Sequence, residues 1–107
     1  MKSDTKKSDT QVTDAVGARR YEARVDGTLA GFATYIRTPE MIAFLHTQVD
    51  PQFEGRGVGS AIARHALDEA REHGQSVLAA CPFISGWIAH HPEYEDLQYQ
   101  PRSVVSD

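Results

Sequence analysis

The sequence predicts a small α/β domain with a mixed sheet, in which antiparallel strands come first and a strand–loop–helix–strand crossover follows. One observation is a series of alternating apolar runs, two of which meet at the hairpin pair Asp26-Gly27. A second is the glycine-rich loop Glu54–Ser60, which stands between an alternating run and apolar residues at helical spacing. The length of 107 residues fits one domain.

Polar segments flank this predicted domain. Residues 1–14 are dominated by Lys, Ser, Thr and Asp, so the burial of apolar surface cannot offset the entropy lost on ordering them. Residues 100–107 have a similar composition. We therefore expect a disordered N-terminal tail at 1–14, a folded domain at 15–99 and a flexible C-terminal tail at 100–107.

Charge and cysteine content restrict the class of protein. With 11 basic and 15 acidic residues, the net charge of −4 argues against a nucleic-acid partner. No apolar run approaches the roughly 20 residues of a membrane span, and no hydrophobic segment follows the N-terminal lysines as it would in a secretory signal. Cys81 is the only cysteine, so no internal disulfide can form. These features predict a cytoplasmic protein with no nucleic-acid and no membrane partner.

The first half of the chain predicts consecutive antiparallel strands. Alternation places them at Arg20–Val25, Leu29–Arg37 and Met41–Val49. In the last of these strands, strict alternation puts one set of side chains on a common face: Ile42, Phe44, His46 and Gln48.

The second half predicts a crossover. Two apolar stripes predict a helix from about Gly57 to His73, and the short apolar run Ser76–Cys81 predicts a buried strand. A connection of this length implies a right-handed crossover, so Met41–Val49 and Ser76–Cys81 should be parallel neighbours. A second short helix is predicted at Ser85–His90.

The glycine-rich loop predicts a phosphate site. Gly55, Gly57 and Gly59 allow a sharp turn, and their amides stand at a helix N-terminus, which favours an anion. A nucleotide-hydrolysing P-loop is excluded because no lysine occurs after Lys7, and a dinucleotide fingerprint because Ser60 stands where its third glycine should be. Two interpretations remain, namely a cradle for a pyrophosphate and a turn that merely begins a helix.

The loop and three further segments carry a resemblance to a known family. The sequence Glu54-Gly55-Arg56-Gly57-Val58-Gly59 matches the signature Gln/Arg-x-x-Gly-x-Gly/Ala except at Glu54. The other segments are His46-Thr47-Gln48-Val49-Asp50-Pro51, Cys81-Pro82-Phe83 and His91-Pro92-Glu93-Tyr94. From Tyr21 to Leu97 the chain resembles the GNAT superfamily of acetyl-coenzyme-A-dependent N-acetyltransferases, and in particular a small, minimal branch of it.

This resemblance implies a fold, a co-substrate and a binding site. The two parallel strands would splay apart at their carboxyl ends, and the pantetheine arm of acetyl-CoA would enter the gap. The co-substrate would be acetyl-CoA, with coenzyme A as product, and the acceptor an unknown amine or protein. The residues that would bind the cofactor lie at the end of the strand and in the loop: Val49, Glu54, Gly55, Arg56, Gly57, Val58, Gly59 and Ser60.

Acetyl transfer to an amine requires removal of a proton, stabilisation of the thioester oxygen and protonation of the departing thiolate. His46 is a candidate base or substrate contact, because Gln48, which cannot titrate, stands where relatives carry a carboxylate. Tyr94 is the candidate acid, since the superfamily often uses a tyrosine in its C-terminal region. His91 is a candidate for either a chemical or a structural role, and no metal site is expected, because the histidines lack partners at zinc-like spacing.

Cys81 ends the second parallel strand beside the expected thioester. It is a candidate acyl-accepting nucleophile if His46, His91 or the N-terminus of the helix at Ser85 favours its thiolate, and otherwise a small buried side chain. We expect direct attack by the amine, with Cys81 lining the thioester pocket. We also expect His46 and Cys81 to face one cleft; on opposite faces they could not act jointly, and His46 would be structural.

Two functions remain open at this point. One is a coenzyme-A-dependent N-acetyltransferase, and the other is a non-catalytic acyl-CoA-binding or regulatory module, which Glu54 and Gln48 favour. We expect the enzyme. Its acceptor site should be open, because the direct hairpin at Asp26-Gly27 leaves no room for the helices with which relatives build an acceptor pocket.

Overall fold

The computed structural model describes residues 10–99, in which two helices cover one face of a five-stranded sheet. The strands are β1 (Thr10–Ala15), β2 (Arg20–Val25), β3 (Thr28–Arg37), β4 (Met41–Val49) and β5 (Ser76–Ala79). The helices are α1 (Val58–Glu72) and α2 (Pro82–Ala89). Short 3-10 turns lie at Val16–Ala18, Pro51–Phe53 and Pro92–Leu97.

The strands follow one another in space as they do in sequence, in the order β1-β2-β3-β4-β5. Neighbours from β1 to β4 are antiparallel, whereas β4 and β5 are parallel and are connected through α1. Asp26 and Gly27 have φ angles of 52° and 83°, as the predicted two-residue hairpin requires. The mixed α/β fold and the parallel pair are thus confirmed.

The prediction of a disordered tail is wrong for residues 10–14, which form most of β1. Two contacts explain the order: Val12 packs against the core, and the Asp14 carboxylate accepts hydrogen bonds from Tyr35 and Arg37 on β3. Burial of one apolar side chain and pairing with β2 stabilise this polar strand. The predicted tails at 1–9 and 100–107 lie outside the described residues.

The second helix also begins earlier than predicted, at Pro82 instead of Ser85, and β5 ends at Ala79 instead of Cys81. Proline suits the first turn of a helix, because its fixed φ is helical and its missing N–H has no partner to lose there. Pro82 therefore begins α2 as well as ending the strand.

A β-bulge in β4 changes which side chains face the helices. His46 pairs with Thr34 of β3, but Tyr35 pairs with Phe44, so Leu45 is an extra residue in β4. Ile42 and Phe44 are buried under the helices, whereas His46 and Gln48, two and four residues further on, are exposed. The predicted common face for these four residues is wrong because the bulge reverses the alternation.

The core lies between the sheet and the two helices. Both predicted stripes of α1 are buried in it: Val58, Ile62 and Ala66 in one, and Ala63, Leu67 and Ala70 in the other. The opposite face of the sheet has no helix over it within residues 10–99. In the same part of the chain, neither helix is long and apolar enough to cross a membrane.

Candidate functional site

The glycine-rich loop turns the chain from the end of β4 into α1 through two glycines in left-handed conformations. Gly55 has φ 81° and Gly57, the N-cap of α1, has φ 78°, a region that side chains with a Cβ atom rarely adopt. Gly57 accepts a hydrogen bond from the amide of Ala61, which starts the helix. The turn therefore depends on glycine at these positions for its backbone conformation.

The N-terminus of α1 is open to an anion. No side chain of the described part of the chain caps it, and its first turn contains no acidic residue. Gly57 and Ser60 are exposed, as are Glu54 and Arg56 before them, and the Arg56 guanidinium lies 5.4 Å from the Phe53 ring centroid. Uncapped amides at the end of a 15-residue helix carry partial positive charge toward solvent. The loop can thus hold a phosphate or pyrophosphate group.

Gly59 has a different role, because it allows α2 to pack closely on the first turn of α1. A Cβ atom at Gly59 would lie 2.6 Å from Cζ of Phe83, and Phe83 lies on α2. The adjacent Ser60 hydroxyl accepts a 3.0 Å hydrogen bond from the indole N–H of Trp87. The first turn of α1 therefore contacts α2 at two points, near its start at Phe83 and in its second half at Trp87.

A gap opens next to this loop where β4 and β5 stop pairing. Their last paired residues are Phe44 and Ala79, although β4 continues to Val49. Beyond that point the buried Cys81 thiol donates to the hydroxyl of Thr47, with a distance of 3.2 Å between Sγ and Oγ1. Val49 follows Thr47 on the same face, partly buried against the core. From Leu45 to Val49, β4 has no strand partner on the β5 side among the described residues.

His46 and Cys81 lie on opposite faces of the sheet, so the prediction that they face one cleft is wrong. The exposed His46 ring lies 6.2 Å from the Phe32 ring, and its Nε2 is 3.3 Å from Oε1 of Gln48, all on the bare face. Cys81 is bonded to Thr47 under the helices. The bulge at Leu45 is the physical reason, and a joint mechanism of these two residues is excluded.

His91 lies at the far end of α2 from Cys81. Since α2 has 8 residues and rises about 1.5 Å per residue, its ends are separated by about 12 Å. The His91 ring stacks on Trp87 with a centroid distance of 3.7 Å, and its Nδ1 is 2.8 Å from the Trp87 carbonyl oxygen. The structure therefore does not bring His91 to the Cys81 thiol.

Tyr94 is tied to α1 instead of to the gap. Its hydroxyl donates to the Asp68 carboxylate at 2.7 Å, and its ring packs 5.3 Å from that of Trp87. Burial, together with the hydrogen bond to Asp68, raises the pKa of Tyr94 above its usual range. A tyrosine that holds its proton against a carboxylate of α1 is arranged as a structural residue, and its proposed acid role stays a prediction.

Cys81 occupies a position that the sequence only partly predicted. It is the N-cap residue of α2, and no side chain within residues 10–99 caps that helix, so the amides of the first turn of α2 begin directly beside the Cys81 thiol. Thr47, its hydrogen-bond partner, was not among the predicted site residues, although Val49, two residues further along the same face, was. Within residues 10–99, no group of three or more His, Cys, Asp or Glu side chains is arranged to hold a metal ion.

Comparison with known proteins agrees with this geometry. A family model described as GCN5-related N-acetyl-transferase matches residues 20–97. Streptothricin acetyltransferase from Streptomyces lavendulae is 37% identical over 73 residues, which make up 66% of this chain and 35% of that protein. The chain thus spans about a third of the length of this curated relative.

Solved structures share the architecture. Ard1 from Thermoplasma volcanium aligns with a TM-score of 0.51 and 28% identity, over 58% of this chain and 43% of that one. A GCN5-like protein from Staphylococcus aureus aligns with a TM-score of 0.63 and 21% identity, over 89% and 95% of the two chains. The second similarity shows the fold alone. Because the family model covers most of the chain, this protein belongs to the GCN5-related N-acetyltransferase family.

Proposed function

We propose that this chain binds acetyl-CoA and transfers its acetyl group to an amine. The observation that carries the proposal is the uncapped N-terminus of α1, which opens beside the gap between β4 and the chain after β5. An anion site next to a gap lined by unpaired backbone groups suits a ligand with a pyrophosphate and an amide-containing arm. Membership of the family supports the same conclusion.

In this proposal the amides from Gly55 to Ser60 hold the pyrophosphate, and the arm lies along Thr47 and Val49 of β4. The amides of the arm can replace the missing strand by bonding to the backbone of β4. The thioester then lies near Thr47 and Cys81, at the N-terminus of α2. Glu54 repels a pyrophosphate by Coulomb interaction, but it is exposed, so solvent weakens the repulsion.

The chemistry proposed is direct transfer. The amine nitrogen attacks the thioester carbonyl carbon and loses one proton, the carbon–sulfur bond breaks, and the sulfur takes up one proton, so that coenzyme A departs as a thiol. The uncapped amides at the start of α2 would stabilise the negative charge that develops on the thioester oxygen. Since His46 is not near Cys81, the amine is expected to arrive at the thioester already deprotonated.

The acceptor would approach from the bare face of the sheet, because α1 and α2 cover the other face, and its amine would reach the thioester through the gap between β4 and the chain after β5. Phe32, His46 and Gln48 form the surface that it would meet there. One relative is named streptothricin acetyltransferase. A structural neighbour from Brucella melitensis biovar Abortus 2308, with 23% identity, is named ribosomal-protein-alanine N-acetyltransferase. We propose an amine of a small molecule or of a protein as the acceptor, in a cytoplasmic setting.

Thermal unfolding with and without acetyl-CoA tests the binding step. At about 100 times its dissociation constant, acetyl-CoA should raise the unfolding free energy by about 2.7 kcal/mol. S-acetyl-N-acetylcysteamine, which has the thioester end without any phosphate, should raise it far less at the same concentration. No stabilisation by acetyl-CoA in a folded protein would contradict the proposal.

Release of free thiol from acetyl-CoA in the presence of a panel of amines tests the transfer step. The panel should include small polyamines, aminoglycoside-type amines, peptides with a free N-terminus and peptides with lysine. Acceleration by at least one amine, with the acetylated amine found by mass spectrometry, is the expected result. Stabilisation without transfer to any of them would favour a binding module over an enzyme.

A further inference from the structure

Three apolar side chains form a row across the bare face of the sheet. Ile36 of β3 pairs with Ala43 of β4, and Ala43 pairs with Leu78 of β5. Their chain neighbours Tyr35 and Val77 are buried under the helices, so alternation places this apolar row on the opposite face. Ile36 is 57% exposed and Leu78 is 42% exposed. Exposed apolar side chains that adjoin one another mark a contact surface, whereas isolated ones are common on any protein.

The apolar row lies at the edge of the gap in which the thioester is proposed to lie. The next pair along β4 and β5, Phe44 with Ala79, is the last one before the pairing ends. Thr47, which contacts Cys81 in the gap, comes four residues after Ala43 in β4. At about 3.3 Å per residue this separation is at most about 13 Å, which an extended chain spans in about four residues. A ligand that enters the gap from the bare face can therefore contact the row as well.

The remainder of the bare face is a poor surface for a small polycationic amine. The next two rows on this face are Arg20, Thr34 and His46, and then Glu22, Phe32 and Gln48. In these rows the carboxylate is that of Glu22, which accepts hydrogen bonds from Arg20 at 2.7 Å and from Arg24 at 3.1 Å. The Arg20 guanidinium also lies 4.6 Å from the centroid of the Phe32 ring. Two cations thus already occupy the groups that would hold an ammonium ion on these rows.

We propose that the acceptor is a protein, and that an extended segment of it packs apolar side chains on the apolar row while its amine enters the gap. The uncharged side chains of the row match apolar side chains of the segment. The distance from the row to Thr47 requires these side chains to be about three or four residues from the amine. The inference rests on the proposed function, and it selects the protein from the two classes of acceptor that were left open there.

A second copy of this chain fits the apolar row less well than such a segment does. A stable dimer buries about 800 Å² on each partner, from about 20–30 residues a side. Ile36, Ala43 and Leu78 supply a small part of such an interface, and the rows beside them contain the ion pairs of Glu22. A short extended segment needs only a few apolar side chains to anchor it.

Two peptides and three variants test the proposal. One peptide has a free N-terminal amine, a central Ile-Leu pair and a lysine, each amine three or four residues from the pair; the other has Ser-Ser at its centre. Ile36→Thr and Leu78→Thr make the row polar and retain residues that suit a strand. Val16→Thr is the matched control, because Val16 is 66% exposed but lies in a 3-10 turn outside the row. Fluorescence anisotropy of labelled peptides, with coenzyme A in excess, measures their binding.

We expect the unchanged protein to bind the Ile-Leu peptide about tenfold more tightly than the Ser-Ser peptide. Each variant of the row should weaken the Ile-Leu peptide about fivefold, because less apolar surface is buried. Val16→Thr should bind both peptides as the unchanged protein does, and every variant should bind acetyl-CoA with unchanged affinity. In the transfer assay, the row variants should raise the KM for the Ile-Leu peptide and leave kcat, and the rate with spermidine, unchanged.

The failures of the two proposals are distinguishable. If the unchanged protein binds acetyl-CoA but binds both peptides equally, acetylates spermidine more efficiently than the Ile-Leu peptide, or binds that peptide without acetylating it, the row does not dock the acceptor. The inference is also overturned if the row variants turn a dimer into monomers in sedimentation without changing peptide affinity. In these cases binding of acetyl-CoA, on which the proposed function depends, is unaffected. If the unchanged protein does not bind acetyl-CoA, the proposed function fails, and the inference fails with it.

Discussion

At the scale of single residues, the surroundings of Cys81 favour a lining role over a nucleophilic one. The thiol is buried and donates a hydrogen bond to the Thr47 hydroxyl, and neither of the histidines that were expected to assist it is close. His46 lies on the other face of the sheet, and His91 lies at the far end of α2. The N-terminus of α2 is the remaining feature that would favour a thiolate.

Replacement of Cys81 separates the two mechanisms. With direct transfer, Cys81→Ala should retain the rate of acetyl transfer within about tenfold, or about 1.4 kcal/mol in barrier, because only packing against the thioester is lost. The unchanged protein should also be incubated with labelled acetyl-CoA, quenched and analysed by intact mass. Direct transfer predicts that no acetyl adduct is found. An adduct that depends on Cys81 and passes to an amine at the turnover rate would establish the covalent route.

The deprotonation of Tyr35 should lower the unfolding free energy of the protein at high pH. Burial, assisted by the hydrogen bond to Asp14, raises the pKa of Tyr35 to about 12 from an ordinary value of 10.0. Because the folded pKa is the higher one, its contribution is fully present below about pH 10 and is lost as the pH rises toward 12.

Tyr35→Phe should therefore reduce the loss of unfolding free energy between about pH 10 and pH 12 by on the order of 1 kcal/mol. Urea unfolding at a series of pH values measures the slope of the unfolding free energy against pH. This slope does not depend on the lower stability of the variant at neutral pH. Tyr99→Phe, which removes an exposed hydroxyl, is the control. A slope equal to that of the unchanged protein would contradict the prediction.

Whether the conformation and contacts of a residue could be predicted depended on how far apart in sequence its interacting partners are. The conformations of Gly55 and Gly57 follow from local backbone chemistry, and the sequence predicted their turn. The orientation of His46 depends on a bulge defined by the pairing of β3 with β4, which no local pattern reveals. The polar contacts of Asp14 with Tyr35 and Arg37 likewise join distant segments, so a composition argument assigned Asp14 to a tail.

At the scale of elements, α1 was predicted almost residue for residue, because its apolar stripes and its glycine start are both local signals. Strand β4 was predicted with the correct bounds, but the side chains from His46 onward were assigned to the wrong face of the sheet. β1 was missed, because its alternation is weak and its stability comes from β2 and from the side chains of β3.

The N-cap of α1 can be tested with two matched glycines. Gly57→Ala places a Cβ atom at φ 78°, where the strain is about 1–2 kcal/mol, and should lower both the unfolding free energy and the affinity for acetyl-CoA. Gly17→Ala has open space and no such φ, so it should change neither. Chemical denaturation and calorimetry measure the two effects; equal behaviour of the two variants would show that the turn does not require glycine.

At the scale of the whole molecule, the two faces of the sheet differ in what packs on them. One face packs on α1 and α2 and contains the core, the Cys81–Thr47 contact and the open end of α1. The other face bears Phe32, His46 and Gln48 and has no helix over it in residues 10–99. The order of the elements predicted the mixed sheet and its crossover helix, whereas the assignment of individual side chains to a face required the strand pairing.

The early end of pairing between β4 and β5 also affects how fast backbone protons exchange with solvent. Ile42 and Phe44 belong to a stretch that is paired on both sides, so their amides should exchange slowly. From Thr47 to Val49, β4 has a neighbour on one side only among residues 10–99, and alternate amides there should exchange as they do at a sheet edge. Acetyl-CoA in the gap should slow these amides in particular, and deuterium exchange read residue by residue would detect it. Equal protection along the whole of β4 in the free protein would show that the gap is already closed.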